Sequence, residues 1–170
     1  MLEDVLRPGL KLVVCGTAAG HRSAASGCYY AGRGNKFWRT LYAIGLTPRR
    51  LTPAECALLP SWGIGLTDLV KGQAGADADI EFDAVGPAFV REKILRFMPL
   101  VLCFNGKRAA REFFQKQRVR YGMQGDRIGN TQLFVAPSTS GAANGAWDLR
   151  IWQSIADLVQ KVEFQEPHNS

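Results

Sequence analysis

The sequence lacks any apolar run near the roughly 18 residues that a membrane-spanning helix needs, so we expect no membrane partner. Residues 1–9 hold Glu3 and Asp4 and have no apolar core, so we expect no secretory signal. We therefore expect a cytoplasmic protein, associated with the nucleoid if the chain is bacterial. Apolar residues make up 46% of the chain against a net charge of +6, which excludes disorder as its main state.

Histidine is scarce and the cysteines are isolated, which leaves few ligands for a metal. His21 and His168 are the only two histidines, and the four cysteines include no C-x-x-C pair. Cys15 and Cys103 lie inside apolar runs, so we interpret them as buried thiols. The patterns G-x-G-x-x-G and G-x-S-x-G are also missing, which argues against a dinucleotide-binding loop and a nucleophile elbow. We expect neither a metal nor a cofactor.

Positive charge is concentrated in two segments. Residues 35–50 carry four cations and no acid, and residues 107–127 carry seven cations against two acids. Ordinary solvated helix faces would also produce such segments. Two cationic segments that flank one site would suit the phosphate backbone of a nucleic acid.

Short apolar runs alternate with helical patterns along the chain. Strands are predicted over residues 12–15, 63–70, 100–104 and 133–136, and helices over 35–44, 52–59, 87–97, 107–116 and 146–162. The segments 17–34 and 71–79 have the composition of loops. This order predicts an α/β fold of three layers, α/β/α, around a central mostly parallel sheet.

No linker or repeat interrupts this order, so we predict one domain over residues 1–170. Its core is predicted over about 10–162, followed by an acidic tail over 163–170. Ligands of such sheets bind beyond the carboxyl ends of the strands. We therefore expect the site at residues 17–34, 105–106 and 137–144.

Two motifs follow predicted strands. The first runs Gly16-Thr-Ala-Ala-Gly-His-Arg-Ser-Ala-Ala-Ser-Gly-Cys-Tyr-Tyr-Ala-Gly-Arg-Gly-Asn-Lys-Phe-Trp38, and the second runs Pro137-Ser-Thr-Ser-Gly-Ala-Ala-Asn144. Their order resembles the two motif regions of the uracil-DNA glycosylase superfamily, over Leu12 to about Val159. The first motif is similar to the mismatch-specific uracil/thymine branch. Its Tyr-Tyr-Ala and Asn-x-Phe-Trp segments are more similar still to the hypoxanthine-DNA glycosylases.

The resemblance implies a monofunctional DNA glycosylase of base excision repair, which hydrolyses the N-glycosidic bond of a deaminated base in DNA. Uracil is the first expectation, because Ser23-Ala24-Ala25 is similar to the small floor near uracil pockets, and hypoxanthine is the second. The implied partner is DNA containing uracil or another deaminated base, bound by a monomer. Two other interpretations stay open: a catalytically weak lesion-binding module on the same fold, and a nucleotide hydrolase that acts on free nucleosides.

The first motif departs from its relatives at Ala18, where the mismatch-specific branch has a water-positioning Asn. Asn35 is predicted to take that role, because the hypoxanthine-type relatives rely on it; a helix N-cap is the alternative. His21 is the competitor, able to titrate near neutral pH, or else a surface histidine that contacts phosphate. Ser138 is predicted to stabilise the anion of the leaving base. Tyr30 is predicted to stack on the flipped base, against the alternative of a half-buried loop tyrosine.

The other site residues are predicted from their places in the motifs and at the strand ends. Predicted contacts to the base are Thr17, Ala18, Gly20, Ser23, Tyr30 and Asn105. Predicted contacts to DNA are Ser140, Gly141, Ala142, Ala143 and Asn144 in the second motif, and Lys107, Arg108 and Arg111 on the basic helix. Ala142 or Ala143 stands where the uracil branch has a wedge leucine. Phe37 and Trp38 are predicted to lie in the core.

Overall fold

Five strands form one central sheet in the computed structural model, which describes residues 1–165 and their side chains as far as Lys161. The strands are β1 Leu12–Gly16, β2 Ile64–Asp68, β3 Val101–Asn105, β4 Gly122–Ile128 and β5 Thr131–Ala136. Their spatial order is β2-β1-β3-β5-β4, with β4 antiparallel to β5 at one edge and all other pairs parallel. The side chains of the acidic tail predicted over 163–170 lie outside the described part of the chain.

Helices cover both faces of the sheet. They are α1 His21–Ser26, α2 Phe37–Ala43, α3 Val85–Phe97, α4 Lys107–Phe114 and α5 Leu149–Gln165, with 3-10 helices over Pro53–Trp62, Asp77–Asp79 and Gly141–Ala146. Within residues 1–165, none of these helices combines the length and the apolar character that crossing a membrane requires.

Successive residues of β1 enter two separate cores. Leu12 and Val14 pack with α2 and α5, whereas Val13 and Cys15 pack with α3 and α4. Both faces of this strand are therefore buried, as the unbroken apolar run predicts for a parallel strand. The predicted three-layer α/β/α fold is confirmed.

Large aromatic side chains position the segments that carry the motifs. Phe37 and Trp38 are buried, as predicted, with their ring centroids 5.0 Å apart in an edge-to-face arrangement. Trp152 of α5 is fully buried, and its indole N–H donates a hydrogen bond of 2.9 Å to the Pro137 carbonyl. This bond holds the second motif at the point where it leaves β5.

The structure departs from the predicted elements where few side chains are buried. The sequence does not predict β4, because Ile128 is the one buried residue of this mostly polar strand. The segment 17–34, predicted as a loop, contains the short helix α1, which ends at Gly27 in a left-handed conformation. The predicted helix at 52–59 is a 3-10 helix with the expected cap at Thr52. The closing helix begins at Leu149 rather than at 146, since a separate 3-10 turn precedes it.

The carboxyl ends of the parallel strands bring polar groups to one edge of the sheet. Gly16 pairs with Asp68, and Asn105 pairs with Ala136. Gly106 follows with a φ of +106°, and a Cβ there would stand 3.0 Å from the Ser138 Cβ. Glycine is required at 106 because it tolerates both this backbone conformation and this close approach. The predicted location of the site therefore coincides with the edge at which such sheets bind ligands.

Candidate active site

A cavity of about 640 Å³ opens at this edge of the sheet. The two motifs, the end of β2 with the loop that follows it, and the start of α4 line the cavity. The predicted site residues in the lining are Thr17, Ala18, Gly20, His21, Ser23, Tyr30, Asn35, Asn105, Lys107, Arg108, Ser138, Ser140, Gly141, Ala142 and Ala143. Two predicted residues, Arg111 and Asn144, lie outside it. The fold thus brings both motifs around one space.

Ser23 stabilises the conformation of the first motif through a hydrogen bond. Its side chain is buried on α1, and its Oγ accepts a hydrogen bond of 3.0 Å from the Ala31 backbone N–H. This bond holds the chain next to Tyr30, whose φ of 53° is uncommon for a residue other than glycine. Ser23 therefore fixes the conformation of the loop that carries the tyrosine.

Tyr30 lies between the aromatic core and the floor of the cavity. Its ring packs on Phe37 with the centroids 4.1 Å apart. Its hydroxyl lies 3.2 Å from the position that a Cβ at Gly16 would occupy, and it makes no hydrogen bond with a described residue. Burial and the charge of Asp68 hold the pKa of Tyr30 well above its usual value, although the nearby Asn105 amide opposes them. The phenol is therefore neutral and can donate a hydrogen bond.

Asp68 lies at the floor of the cavity, and the sequence analysis does not predict it as a site residue. It is 4% exposed and lines the cavity, and its Oδ1 lies 2.7 Å from the position of a Gly16 Cβ. Any side chain at position 16 would therefore collide with the carboxylate. Burial raises the pKa of Asp68 to about 6, against the opposing charge of Lys71. The strand predicted over 63–70 leaves Asp68 inside the element, whereas in the structure β2 ends at this acid, just as β3 ends at Asn105.

The protonation of Asp68 determines what the floor can recognise. An ionised carboxylate only accepts hydrogen bonds, whereas a protonated carboxyl group donates one and accepts others. The protonated form can therefore pair with a heterocycle that presents an N–H next to a carbonyl. The Tyr30 hydroxyl supplies a further donor on the same floor.

A cluster of charges stands behind Asp68. Asp4 forms ion pairs of 2.6 Å with both Lys71 and Lys93, and it accepts a hydrogen bond of 2.7 Å from Thr67. Burial favours a higher pKa for Asp4, but the bonds from the two lysines outweigh it and lower the pKa. Asp4 offsets the lysine charges, so these cations cancel only part of the effect of burial on Asp68.

Asn35 precedes Lys36, the N-cap residue of α2; its side chain bonds the start of this helix, and the residue lines the cavity. Its Oδ1 accepts a hydrogen bond of 3.0 Å from the Phe37 backbone N–H at the start of α2. Its Nδ2 makes no hydrogen bond with a described residue, and the side chain lines the cavity. The two alternatives for Asn35 are therefore compatible. The group that it can offer to a ligand is an N–H donor, which suits a water oxygen or a carbonyl of a base.

His21 stands on the rim of the cavity, at the start of α1. It is exposed, and its Nε2 lies 3.1 Å from the position of a Cβ at Gly75. The loop that contains Gly75 is joined to the first motif, because Thr17 Oγ1 donates a hydrogen bond of 2.7 Å to Asp77. Ala18 lines the same wall but has no polar side-chain atom.

The second motif is attached to the sheet through Asn105. Its Oδ1 accepts from the Thr139 backbone N–H and its Nδ2 donates to Thr139 Oγ1, both within 3.0 Å. Ser138 Oγ accepts a hydrogen bond of 3.2 Å from the Ser140 backbone N–H. The Ser138 hydroxyl proton can still be donated to a ligand, as its predicted role requires.

The basic helix contributes two cations to the cavity wall. Lys107 lies over the Tyr121 ring, 4.4 Å from its centroid. Arg108 lies over Phe82 and pairs with Glu112 at 3.0 Å. Arg111, one turn later, lines a shallower groove together with Arg108 instead of the main cavity. Of the three predicted cations of this helix, Lys107 and Arg108 therefore line the cavity.

Cys15 and Cys103 are buried free thiols, as predicted. Burial raises the pKa of both thiols, so both are protonated at neutral pH. Across residues 1–165, no group of three or more His, Cys, Asp or Glu side chains is arranged to hold a metal ion.

Two comparisons with known proteins bear on the family and the fold of this chain. A family model described as the uracil DNA glycosylase superfamily matches residues 3–156. The fold is similar to the solution NMR structure of a candidate uracil DNA glycosylase from Methanosarcina acetivorans. The TM-score is 0.63 and the sequence identity 22%, over 94% of this chain and 96% of that one. At this identity the second comparison bears on the fold alone.

Proposed function

We propose that this chain, which belongs to the uracil DNA glycosylase superfamily and is a DNA glycosylase, excises uracil from DNA. One observation carries the proposal. The two motifs enclose a cavity that is lined by the Tyr30 ring and has a buried carboxyl group of raised pKa, that of Asp68. A flipped base with a lactam edge, an N–H beside a carbonyl, matches these groups.

The reaction replaces the bond between the sugar and the base with a bond to water. As the bond from C1′ to the base nitrogen breaks, its electron pair leaves with the base, and positive charge develops on the sugar. The Ser138 hydroxyl and the backbone N–H groups of residues 17–20 stabilise the base anion, which then takes up a proton. Water attacks C1′ and loses a proton to solvent. The products are the free base and an abasic site.

The residues of the two motifs and of α4 have separate roles in this reaction. Tyr30 stacks on the flipped base while Phe37 supports the other side of its ring. The Asn35 amide donates to the water or to a carbonyl of the base, and His21 is the alternative group for the water. The loop over Gly141–Ala146 contacts the DNA from which the base has left. Lys107 and Arg108 contact phosphates.

Hypoxanthine is the second candidate substrate. Tyr29-Tyr30-Ala31 and the Asn35 segment favour it, because these residues are most similar to the hypoxanthine-type relatives. Uracil is favoured by the small Ser23-Ala24-Ala25 segment. Hypoxanthine and uracil share the lactam edge, so the floor residues suit both bases.

To test the proposal, excess protein is incubated with oligonucleotides that contain one uracil, one hypoxanthine or one mismatched thymine. Each oligonucleotide is used as a single strand and as a duplex. Alkali is then added to break the strand at any abasic site. We expect strand breaks at uracil and release of the free base. Intact uracil and hypoxanthine substrates after long incubation would overturn the proposal. Retention of such DNA without cleavage would indicate a lesion-binding module, and cleavage of free nucleosides would indicate a nucleotide hydrolase.

We further propose that the protein acts as a cytoplasmic monomer, nucleoid-associated if bacterial. Sedimentation would test the oligomeric state, and fluorescence imaging would test the location.

A further inference from the structure

Lys36 is a buried cation that stands between the two motifs. It follows Asn35 in the chain, and only 6% of its surface is exposed. A buried lysine is destabilising unless its ammonium group finds hydrogen-bond partners. The partners of Lys36 therefore show which parts of the protein it joins.

All of the described partners of Lys36 outside its own helix belong to the second motif and the residues just after it. Its Nζ donates to the Asn144 side-chain oxygen and, at 3.3 Å, to the Ser140 carbonyl. The same atom lies 5.2 Å from the centroid of the Trp147 indole ring. Its backbone N–H donates to the Thr139 carbonyl at 2.8 Å. Among the described residues, no carboxylate forms an ion pair with Lys36.

The segment that Lys36 contacts has little apolar anchoring of its own. None of the residues over Gly141–Ala146 is buried. The loop also approaches the first motif closely, because a Cβ at Gly141 would stand 3.3 Å from the Gly34 carbonyl oxygen. Polar contacts, rather than burial of side chains, therefore fix the position of this loop.

We infer that Lys36 is a positioning residue, which holds the Gly141–Ala146 loop against the Asn35 segment through the Asn144 side chain. The inference rests on the proposed function, in which this loop contacts DNA while Asn35 acts at the base. A loop that is ordered before DNA binds loses less entropy on binding. It also keeps the base aligned with the residues that act on it. Asn144, predicted from the sequence to contact DNA, thus serves the site through its contact with Lys36.

The first test needs no catalytic activity. Hydrogen exchange of the backbone amides over 141–147 is compared between the wild type and Lys36→Met, which keeps the length of the side chain but removes its donors. We expect exchange in this loop to be about tenfold faster in the variant, with exchange in β1 and β3 unchanged. Unchanged exchange in the loop of a folded variant would overturn the inference, whatever the substrate of the enzyme.

The second test measures the single-turnover rate at saturating uracil-containing duplex. We expect Lys36→Met and Asn144→Leu each to lower this rate about tenfold or more, and the double variant to lose no more than either single one. Asn144→Asp keeps an acceptor for Lys36, so hydrogen exchange of its loop amides should stay close to that of the wild type. Lys161→Met, the same change at an exposed position of α5, is the matched control. Additive losses, or a full rate in Lys36→Met, would contradict the inference, whereas a wild type without activity would contradict the proposed function instead.

If Lys36→Met fails to fold, Asn144→Leu carries both tests, because position 144 is exposed and the Lys36 ammonium group keeps the Ser140 carbonyl as an acceptor. Faster exchange in the loop together with a lower rate in this variant would support the inference. Wild-type values of both would overturn it.

Discussion

Asn105 and Thr139 exchange two hydrogen bonds, one from the Thr139 backbone N–H to Oδ1 at 3.0 Å and one from Nδ2 to Thr139 Oγ1 at 2.9 Å. Both residues are buried. The pair joins the end of β3 to the second motif, so it fixes the direction in which that motif crosses the cavity.

We expect Thr139→Val to lower the free energy of unfolding by about 1–3 kcal/mol, because it leaves the buried Asn105 Nδ2 without its acceptor. Thr139→Ser keeps the hydroxyl and should lose less. Urea unfolding of the three proteins measures the difference. Equal stability of the Val and wild-type proteins would show that the side-chain bond contributes nothing.

Asp68 should make the stability depend on pH. Its pKa rises from an ordinary 3.8 to about 6 on folding, so the folded chain binds this proton more tightly than the unfolded chain. The free energy of unfolding should therefore fall as the pH rises from about 4 to about 6, by roughly 3 kcal/mol for this group. Asp68→Asn removes this contribution. We expect the variant to gain stability relative to the wild type at pH 8, and to gain less at pH 4.5.

The same group should appear in the pH dependence of catalysis. If Asp68 faces the base, the single-turnover rate of the wild type should change near pH 6, and Asp68→Asn should lack that change. His21→Ala is the control, because it should keep the change. A transition that persists in Asp68→Asn and disappears in His21→Ala would assign it to the histidine.

The sequence predicts the buried parts of this fold better than the exposed ones. The runs that form β1 and β3 are apolar throughout, since both faces of a parallel strand are covered. β4 is an edge strand with a shift in register and mostly exposed side chains, so no apolar alternation marks it. The motifs predict which loops meet, and the cavity contains most of the residues named from them.

The sequence does not predict contacts between segments that are far apart along the chain. Asp68 belongs to neither motif, and it reaches the site only because β2 pairs with β1 in the register that places it beside Gly16. The contact of Lys36 with Asn144 spans more than a hundred residues. The catalytic and binding roles assigned to the lining residues stay predictions.

Tyr30 offers a test of stacking against polar recognition. Its ring packs on Phe37, whereas its buried hydroxyl has no hydrogen-bond partner among the described residues. We expect Tyr30→Ala to reduce cleavage through the loss of roughly 1–3 kcal/mol of stacking. Tyr30→Phe should be nearly silent in rate and neutral or favourable in stability. A large loss of rate in the Phe variant would instead give the hydroxyl a direct role at the base.

DNA binding should depend on salt, with unequal contributions from the three predicted cations. Lys107 lines the cavity, Arg108 is partly engaged by Glu112, and Arg111 lies outside the cavity. Each phosphate contact that is lost should reduce the slope of log affinity against log salt by about 0.9. We expect Lys107→Met to reduce the slope most and Arg111→Met least. Equal slopes in all variants would leave these residues as solvated charges.

Asn35 has a side-chain oxygen that bonds the start of α2 and an N–H donor that it can offer to a ligand. Two substitutions test these functions separately. Asn35 Oδ1 accepts from the Phe37 backbone N–H, and this is the bond that stabilises the start of α2. Asn35→Ala loses both functions, with a loss of about 1 kcal/mol of stability for the cap. Asn35→Asp keeps an oxygen for the cap but replaces the N–H donor with an acceptor. If the donor acts in the transition state, both variants should lose single-turnover rate far more than DNA affinity, while Asp alone retains wild-type stability. A full rate in Asn35→Asp would show that Asn35 serves only to stabilise the start of α2. Loss of activity in His21→Ala would then show that the histidine positions the water.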